Sequence, residues 1–332
     1  MEPKKIIEVN IPKEIYFDLG PKSGSIFDKC IVFNSGNNIL YLIHSFDKQI
    51  EIYDLNKKTI LSKIQLDGFV KSLKHIFDEE KKRDILMIIY ELIGDYYVKL
   101  YNIINFECIL SLKFMNTHIA ACFLRDKNEY YIAVGDSKTF YSNWNDNEYD
   151  DSHEIKVYDF KNNKIKEIND SARHTYDINT YYEYNRIYII TENHDCLRSF
   201  DYNNNKLYRE YKNAKFFYGH IIQGKDLITR LIAKSDSSLI EIFNFHTGSS
   251  LMKIDVGKLN LTWLWNNGSI LIFEKGHYKI IDLLNIKTSD AIFNYTDFDT
   301  GNMKRIILNE TDSLLISTKD GKIDITGIKI IK

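Results

Sequence analysis

The chain has 332 residues, of which 44% are hydrophobic, 14% aromatic and 27% charged. That is enough apolar material for a packed core, and it excludes an intrinsically disordered chain. Lys plus Arg number 44 against 46 Asp plus Glu, a formal net charge of -2, which lacks the basic surplus of a dedicated nucleic-acid binder.

The 23 Tyr and 19 Phe, with only 3 Pro, favour strands over helices. The first predicted strand is Ile6-Ile7-Glu8-Val9-Asn10-Ile11. No apolar h-region stands near Met1, so no secretory signal is expected. A short alternating run ending in an aromatic and then Asp or Asn follows and recurs. Its copies are Ile50-Glu51-Ile52-Tyr53-Asp54, Val98-Lys99-Leu100-Tyr101-Asn102, Ile155-Lys156-Val157-Tyr158-Asp159, Leu197-Arg198-Ser199-Phe200-Asp201 and Leu239-Ile240-Glu241-Ile242-Phe243-Asn244. Tyr278-Lys279-Ile280-Ile281-Asp282 has Ile in place of the aromatic, and Lys322-Ile323-Asp324-Ile325-Thr326 is a degenerate last copy. Markers 53, 101, 158, 200, 243, 281 and 326 are 48, 57, 42, 43, 38 and 45 residues apart, a period that signals a repeat architecture.

Upstream of most markers lies a second apolar run, with an Asp in the turn between: Asp47, Asp95, Asp195, Asp236 and Asp320. Asp in such turns bonds its own backbone. Polar turns such as Asn56-Lys57-Lys58 and Tyr202-Asn203-Asn204-Asn205 follow the markers, then a fourth short strand such as Ile60–Ile64 or Leu207–Tyr211. Each repeat is expected to be a four-strand meander, with Tyr53, Tyr101, Tyr158, Phe200 and Phe243 buried between neighbours.

This unit resembles the WD40 repeat, in which a Trp-Asp dipeptide ends the third of four strands. The resemblance spans Lys4 to Lys332, with Trp-Asp standing here as Tyr53-Asp54, Tyr158-Asp159, Phe200-Asp201 and Phe243-Asn244. The Gly-His dipeptide that opens a WD40 unit is missing; Gly219-His220 falls inside a predicted first strand. The resemblance implies an all-β fold: a seven-bladed β-propeller of four-stranded antiparallel blades, a single domain over residues 1–332. The last repeat (Lys304–Leu308, Leu314–Ser317, Ile323–Ile325) lacks an outer strand, so the N-terminal strand is expected to close the ring. Six or eight blades sharing strands differently are the alternatives.

The runs that invite a chemical reading do not complete one. Gly135-Asp136-Ser137-Lys138-Thr139 resembles the tail of a phosphate-binding loop, but Tyr130 stands where its first Gly belongs. His194-Asp195-Cys196 cannot converge three adjacent side chains on one zinc ion. Asn145–Asp151 lacks the Gly and final Glu of a calcium loop. His44, His118 and His246 fall on strand or turn positions and are expected to be satisfied or solvated. Cys30, Cys108, Cys122 and Cys196 form no C-x-x-C pair and sit in or beside apolar runs, where buried, reduced thiols are expected. That favours the cytoplasm or nucleus. No apolar run approaches a membrane span. Lys81-Lys82-Arg83 is neutralised by Asp78, Glu79, Glu80 and Asp84. Ubiquitin-ligase adaptor propellers usually carry Arg two residues after the marker Asp; here Asn56, Ile104, Lys161, Asn203, His246 and Leu284 occupy that position.

No catalytic residue, metal ligand or cofactor is therefore expected, and the chain is read as a non-enzyme. The resemblance implies a protein-interaction scaffold, a monomer or one subunit of a larger assembly, binding protein partners rather than nucleic acid or membrane. A small-ligand or peptide receptor, or an enzyme, using the central channel mouth is the alternative. The longest interval between markers holds an insertion, residues 136–153, placed between the second and third strands of the third blade. It carries Phe140, Tyr141, Trp144 and Tyr149 among Asp136, Asp146, Glu148, Asp150 and Asp151, and aromatics beside charges are the composition of interface anchors. The expected partner-binding residues are Tyr141, Trp144 and Tyr149, with Arg173, His174 and Phe298 in loops of the same face.

Overall fold

The computed structural model describes residues 4–10, 30–34, 40–46, 48–54, 57, 59–115, 118–137, 153–170, 177–183, 186–192, 196–212, 220–222, 226–233, 238–255, 264–266, 269–274, 277–282, 287–291, 303–307, 312–319 and 322–329. All the regular structure among them is strand. β1 spans Lys4–Asn10. β2 (Cys30–Asn34), β3 (Leu40–Phe46), β4 (Gln49–Asp54) and β5 (Thr59–Gln65) form a sheet in chain order. So do β6 (Phe69–Asp78), β7 (Arg83–Leu92), β8 (Asp95–Asn102) and β9 (Cys108–Phe114). The third sheet is β10 (His118–Asp126), β11 (Glu129–Ser137), β12 (His153–Asp159) and β13 (Lys164–Asp170). The fourth is β14 (Asp177–Glu183), β15 (Arg186–Glu192), β16 (Cys196–Asp201) and β17 (Lys206–Lys212). The fifth is β18 (His220–Ile222), β19 (Leu227–Ala233), β20 (Ser238–Asn244) and β21 (Ser250–Asp255). The sixth is β22 (Leu264–Asn266), β23 (Ser269–Glu274), β24 (His277–Asp282) and β25 (Lys287–Ala291). In the last, β26 (Met303–Ile307), β27 (Asp312–Lys319) and β28 (Lys322–Lys329) are completed by β1.

Among the described residues there are thus seven four-stranded sheets, and the seven markers lie on their third strands. β1 runs antiparallel to β28, with Lys4 opposite Gly327 and Asn10 opposite Lys322. Of Ile6, Ile7, Val9 and Ile11, all expected to pair with the last repeat, Ile7 and Val9 do so, opposite Ile325 and Ile323; Ile6 falls at a register irregularity between Lys5 and Ile7, and Ile11 lies outside the described residues.

The chain divides into two compact units, Met1–Leu73 with Val256–Lys332, and Lys74–Asp255. In the first, Ile43, Ile50 and Ile52 are wholly buried, and the buried Glu51 carboxylate meets Lys63 Nζ at 2.6 Å across β4 and β5. In the second, three apolar clusters lie between successive sheets. Ile85, Met87 and Val98 pack with Ile132 and Val134; Cys122, Val157 and Ile168 pack with Ile189 and Phe200; Tyr181, Tyr188 and Leu197 pack with Ile228, Phe243 and Phe245. Strand alternation explains this: every second residue of a strand points to one face, so β-branched and aromatic residues at alternate positions cover the neighbouring sheet.

The marker aromatics follow that rule. Tyr101, Phe200 and Phe243 are buried. Tyr158 is partly buried, packed at the margin of the first cluster with its ring edge-on to Phe114 at 6.2 Å. The side chain of Tyr53 lies outside the described residues. A correction concerns the thiols. Cys122 and Cys196 are buried, whereas Cys108 opens β9 at an outer edge and is exposed.

Five sheets share a feature that their sequences do not announce. The register between third and fourth strands slips by one residue at Tyr53, Tyr101, Tyr158, Phe200 and Phe243. The extra residue on the outer strand is Leu61, Ile109, Ile165, Tyr208 or Leu251. A bulge of this kind increases local twist. It comes where the strand must turn into the polar loop after each marker.

Candidate functional site

Antiparallel chain direction gives each sheet two different ends. One end carries the connections from second to third strand and from one sheet to the next; the other carries the two remaining hairpin turns. Residues Tyr141, Trp144, Tyr149, Arg173, His174 and Phe298 lie outside the described residues, but the strand ends that bracket the first five are described. Ser137 on β11 faces His153 on β12, and His153 faces Asp170 on β13. The chain therefore leaves for the 138–152 insertion, returns from it, and leaves again for the Arg173-His174 connection from three adjacent residues at one end of this sheet. The strands extend one or two residues further into the insertion than its expected bounds, since Asp136 pairs with Glu154.

The opposite end is built by the marker Asp or Asn. Asp159 Oδ1 accepts bonds from the backbone N–H groups of Lys161 and Asn163, both at 2.8 Å. Asp201 Oδ1 accepts from Asn203 and Asn204 at 2.9 and 3.0 Å, and Asn244 Oδ1 from His246 and Thr247 at 3.0 and 2.8 Å. Asp54 Oδ1 and Asn102 Oδ1 accept bonds of the same type from the backbone N–H groups of Lys57 and Ile104. Desolvation works against the Asp159 carboxylate, but the bonds from Asn163 and Lys161 outweigh it and hold its pKa below the ordinary carboxylate value. The repeated acid therefore forms the turn after the marker. The described member of the upstream Asp series, Asp95, instead opens β8 and pairs with Lys113 Nζ at 2.8 Å.

Two places at this turn end gather polar side chains. A groove of about 390 Å³ runs between the β6–β7 turn and the β10–β13 sheet, lined by Asp78, Arg83, Glu129, Tyr130, Phe160 and Lys161 among others. Within it Arg83 Nε meets Asp78 Oδ2 at 3.2 Å, and nearby Arg125 meets Glu79 at 3.3 Å while lying over the Tyr130 ring. Burial raises the Tyr130 hydroxyl pKa against the opposing pull of Arg125. The corresponding place between the next two sheets holds a polar cluster instead. Glu183 ends β14, Asp226 precedes β19, and His246 sits in the turn after β20. His246 Nε2 lies 3.1 Å from Glu183 Oε1 and 3.7 Å from Asp226 Oδ1. Tyr208, the bulge residue of β17, meets His246 Nδ1 at 2.9 Å. Tyr181 donates to Asp226, and burial, reinforced by that carboxylate, pushes its pKa well above the ordinary tyrosine value, so it stays a donor.

Sequence reading missed this cluster because its members come from three different turns. One signal was present: His246 and Lys161 stand at the same place, two residues after the marker Asp or Asn, and Phe245 and Phe160 one residue after it.

No family model matches the sequence, and no curated protein matches it. Solved structures do match its fold. A chain of the crystal structure of the mitotic checkpoint complex superposes with a TM-score of 0.67, covering 99% of this chain and 92% of its own at 10% identity. The Neurospora crassa Pan2 WD40 domain gives 0.62, covering 99% and 96% at 11% identity. BBS1N, solved in complex with ARL6DN, gives 0.61, covering 98% and 96% at 10% identity. The chain has a WD40-like β-propeller fold. The likeness is one of fold, and fold alone does not carry function.

Proposed function

We propose that this chain is a non-catalytic protein-interaction platform, a single-domain seven-bladed propeller closed by β1. It engages a protein partner through the end that bears the 138–152 insertion. The observation that carries the reading is the register at Ser137, His153 and Asp170. It brings both ends of the 138–152 insertion and the start of the connection that follows Asp170 to one sheet end, which supports a shared site for Tyr141, Trp144, Tyr149, Arg173 and His174. A long connection in an otherwise tight meander is commonly functional, and exposed aromatics flanked by acids are typical interface anchors. The pairing of β1 with β28 supports closure, and seven sheets among the described residues support the blade number. Two of the similar structures are, by their descriptions, parts of complexes, which is in keeping with a binding role.

The register also defines a clean test. Replacing residues 138–152 by Asn-Gly leaves Ser137 and His153 as the closing pair of a two-residue hairpin, for which Asn-Gly is the favoured turn. The variant is expected to keep its circular dichroism and melting temperature. It is also expected to lose the proteins that co-purify stoichiometrically with the intact chain from its native cell. Retention of those proteins at undiminished yield would remove the insertion from the site.

A further inference from the structure

We propose that Glu183, Asp226 and His246 form a binding site for a divalent transition-metal ion of the zinc class. Each offers one ligand atom, and the three atoms lie within 4.8 Å of one another. The two distances from His246 Nε2, 3.1 Å to Glu183 and 3.7 Å to Asp226, bracket the spacing of ligands around one ion. Tetrahedral bonds of about 2.0–2.1 Å set neighbouring donors roughly 3.3 Å apart. His246 Nε2 is shielded from solvent and makes no hydrogen bond, although both carboxylates approach it. A buried nitrogen without a bond is costly. A metal ion between the nitrogen and the two oxygens would give that nitrogen a partner, while Asp226 Oδ1 keeps its bond from Tyr181.

The surroundings hold each donor in place. Tyr208 meets His246 Nδ1, Tyr181 donates to Asp226, and Tyr188 donates to Glu183 Oε2 at 3.3 Å. Outer partners of this kind orient ligands and fix the imidazole tautomer. Phe245 N–H donates to Asp226 O at 2.7 Å, tying the His246 turn to the Asp226 backbone, and the Asn244 carboxamide fixes the turn itself. The imidazole stands edge-on to the Phe245 and Tyr208 rings at 5.2 and 6.1 Å.

The donor set selects the class of ion. One imidazole with two carboxylates suits zinc and its neighbours, while calcium and magnesium take oxygen donors. Two carboxylates and a neutral imidazole balance a divalent charge. Three protein donors leave a fourth position for water or for a group from a partner. All three residues are half-buried, so an ion can enter from solvent.

The test uses the full chain, stripped with chelator and titrated calorimetrically with zinc chloride in a non-coordinating buffer. One equivalent is expected to bind and raise the melting temperature, with about a hundredfold excess of magnesium failing to compete. Glu183→Gln and Asp226→Asn, which keep size and shape, are each expected to weaken binding at least about tenfold; His246→Ala is expected to abolish it. Circular dichroism checks that each variant folds, and the two amide variants carry the test if His246→Ala does not. Absence of zinc uptake by the folded wild type overturns the proposal, as does equal uptake by the amide variants.

Discussion

Ile93 is 95% exposed and holds φ at +51°, next to Gly94 at +81°. These two residues connect Leu92 and Asp95, which face each other across β7 and β8. Positive φ at both central positions is the signature of the hairpin turn that favours Asn-Gly. A β-branched residue is strained there by about 1–2 kcal/mol, and Ile93 gains almost no burial in return. Ile93→Asn should therefore stabilise the protein by roughly 1 kcal/mol, seen as a higher denaturation midpoint in urea; a lower midpoint would show that the side chain is held by contacts. His75 gives a pH dependence. Burial depresses its pKa, against the raising effect of its 2.9 Å bond to Asp84. The folded state thus binds fewer protons than the unfolded state just below pH about 6.5. Stability should fall as pH drops through that range and level off below the depressed pKa. His75→Gln should flatten the slope, measured as melting temperature from pH 7.5 to 5. Neither feature was legible in the sequence. Ile93-Gly94 carries only half of the turn signature, and the Asp84 bond forms across a hairpin whose register no local pattern fixes.

At the scale of the element, the marker dipeptide divides its work. The aromatic fills the seam toward the preceding sheet, and the acid or amide turns the chain. Phe200 is 1% exposed among Ile178, Ile189 and residues of the β10–β13 sheet. Phe200→Ala should cost roughly 3–5 kcal/mol, whereas Tyr158→Ala, at the margin of its cluster, should cost clearly less. Chemical denaturation of the two variants checks this, and equal losses would contradict the assigned depths. The strands and their third-strand markers were legible, because alternation and an aromatic-acid pair recur along the chain itself. The shared bulges were not. Their extra residues, such as Leu61 and Tyr208, differ in type, and a one-residue slip leaves no trace in composition. The cross-strand pairs Glu51–Lys63 and Glu241–Lys253, with ion-pair distances of 2.6 and 3.5 Å, also emerge only once the register is known.

At the scale of the whole molecule, the repeat period and the missing outer strand of the last unit were enough to anticipate the pairing of β1 with β28. The insertion between β11 and β12 was legible from one long interval. The turn-end cluster of Glu183, Asp226 and His246 was not, since residues far apart in sequence meet there only after sheets stack. The proposed platform depends on rigidity, and in the proposed ring β1 is the strand that completes the final blade. An uncovered β28 edge would present unpaired backbone groups to a second chain. The most direct measurement is the light-scattering mass of the chain lacking residues 1–11, followed on heating beside the intact protein. Closure through β1 predicts dimers or aggregates and an earlier melting transition; a monomer melting at the intact temperature would contradict it.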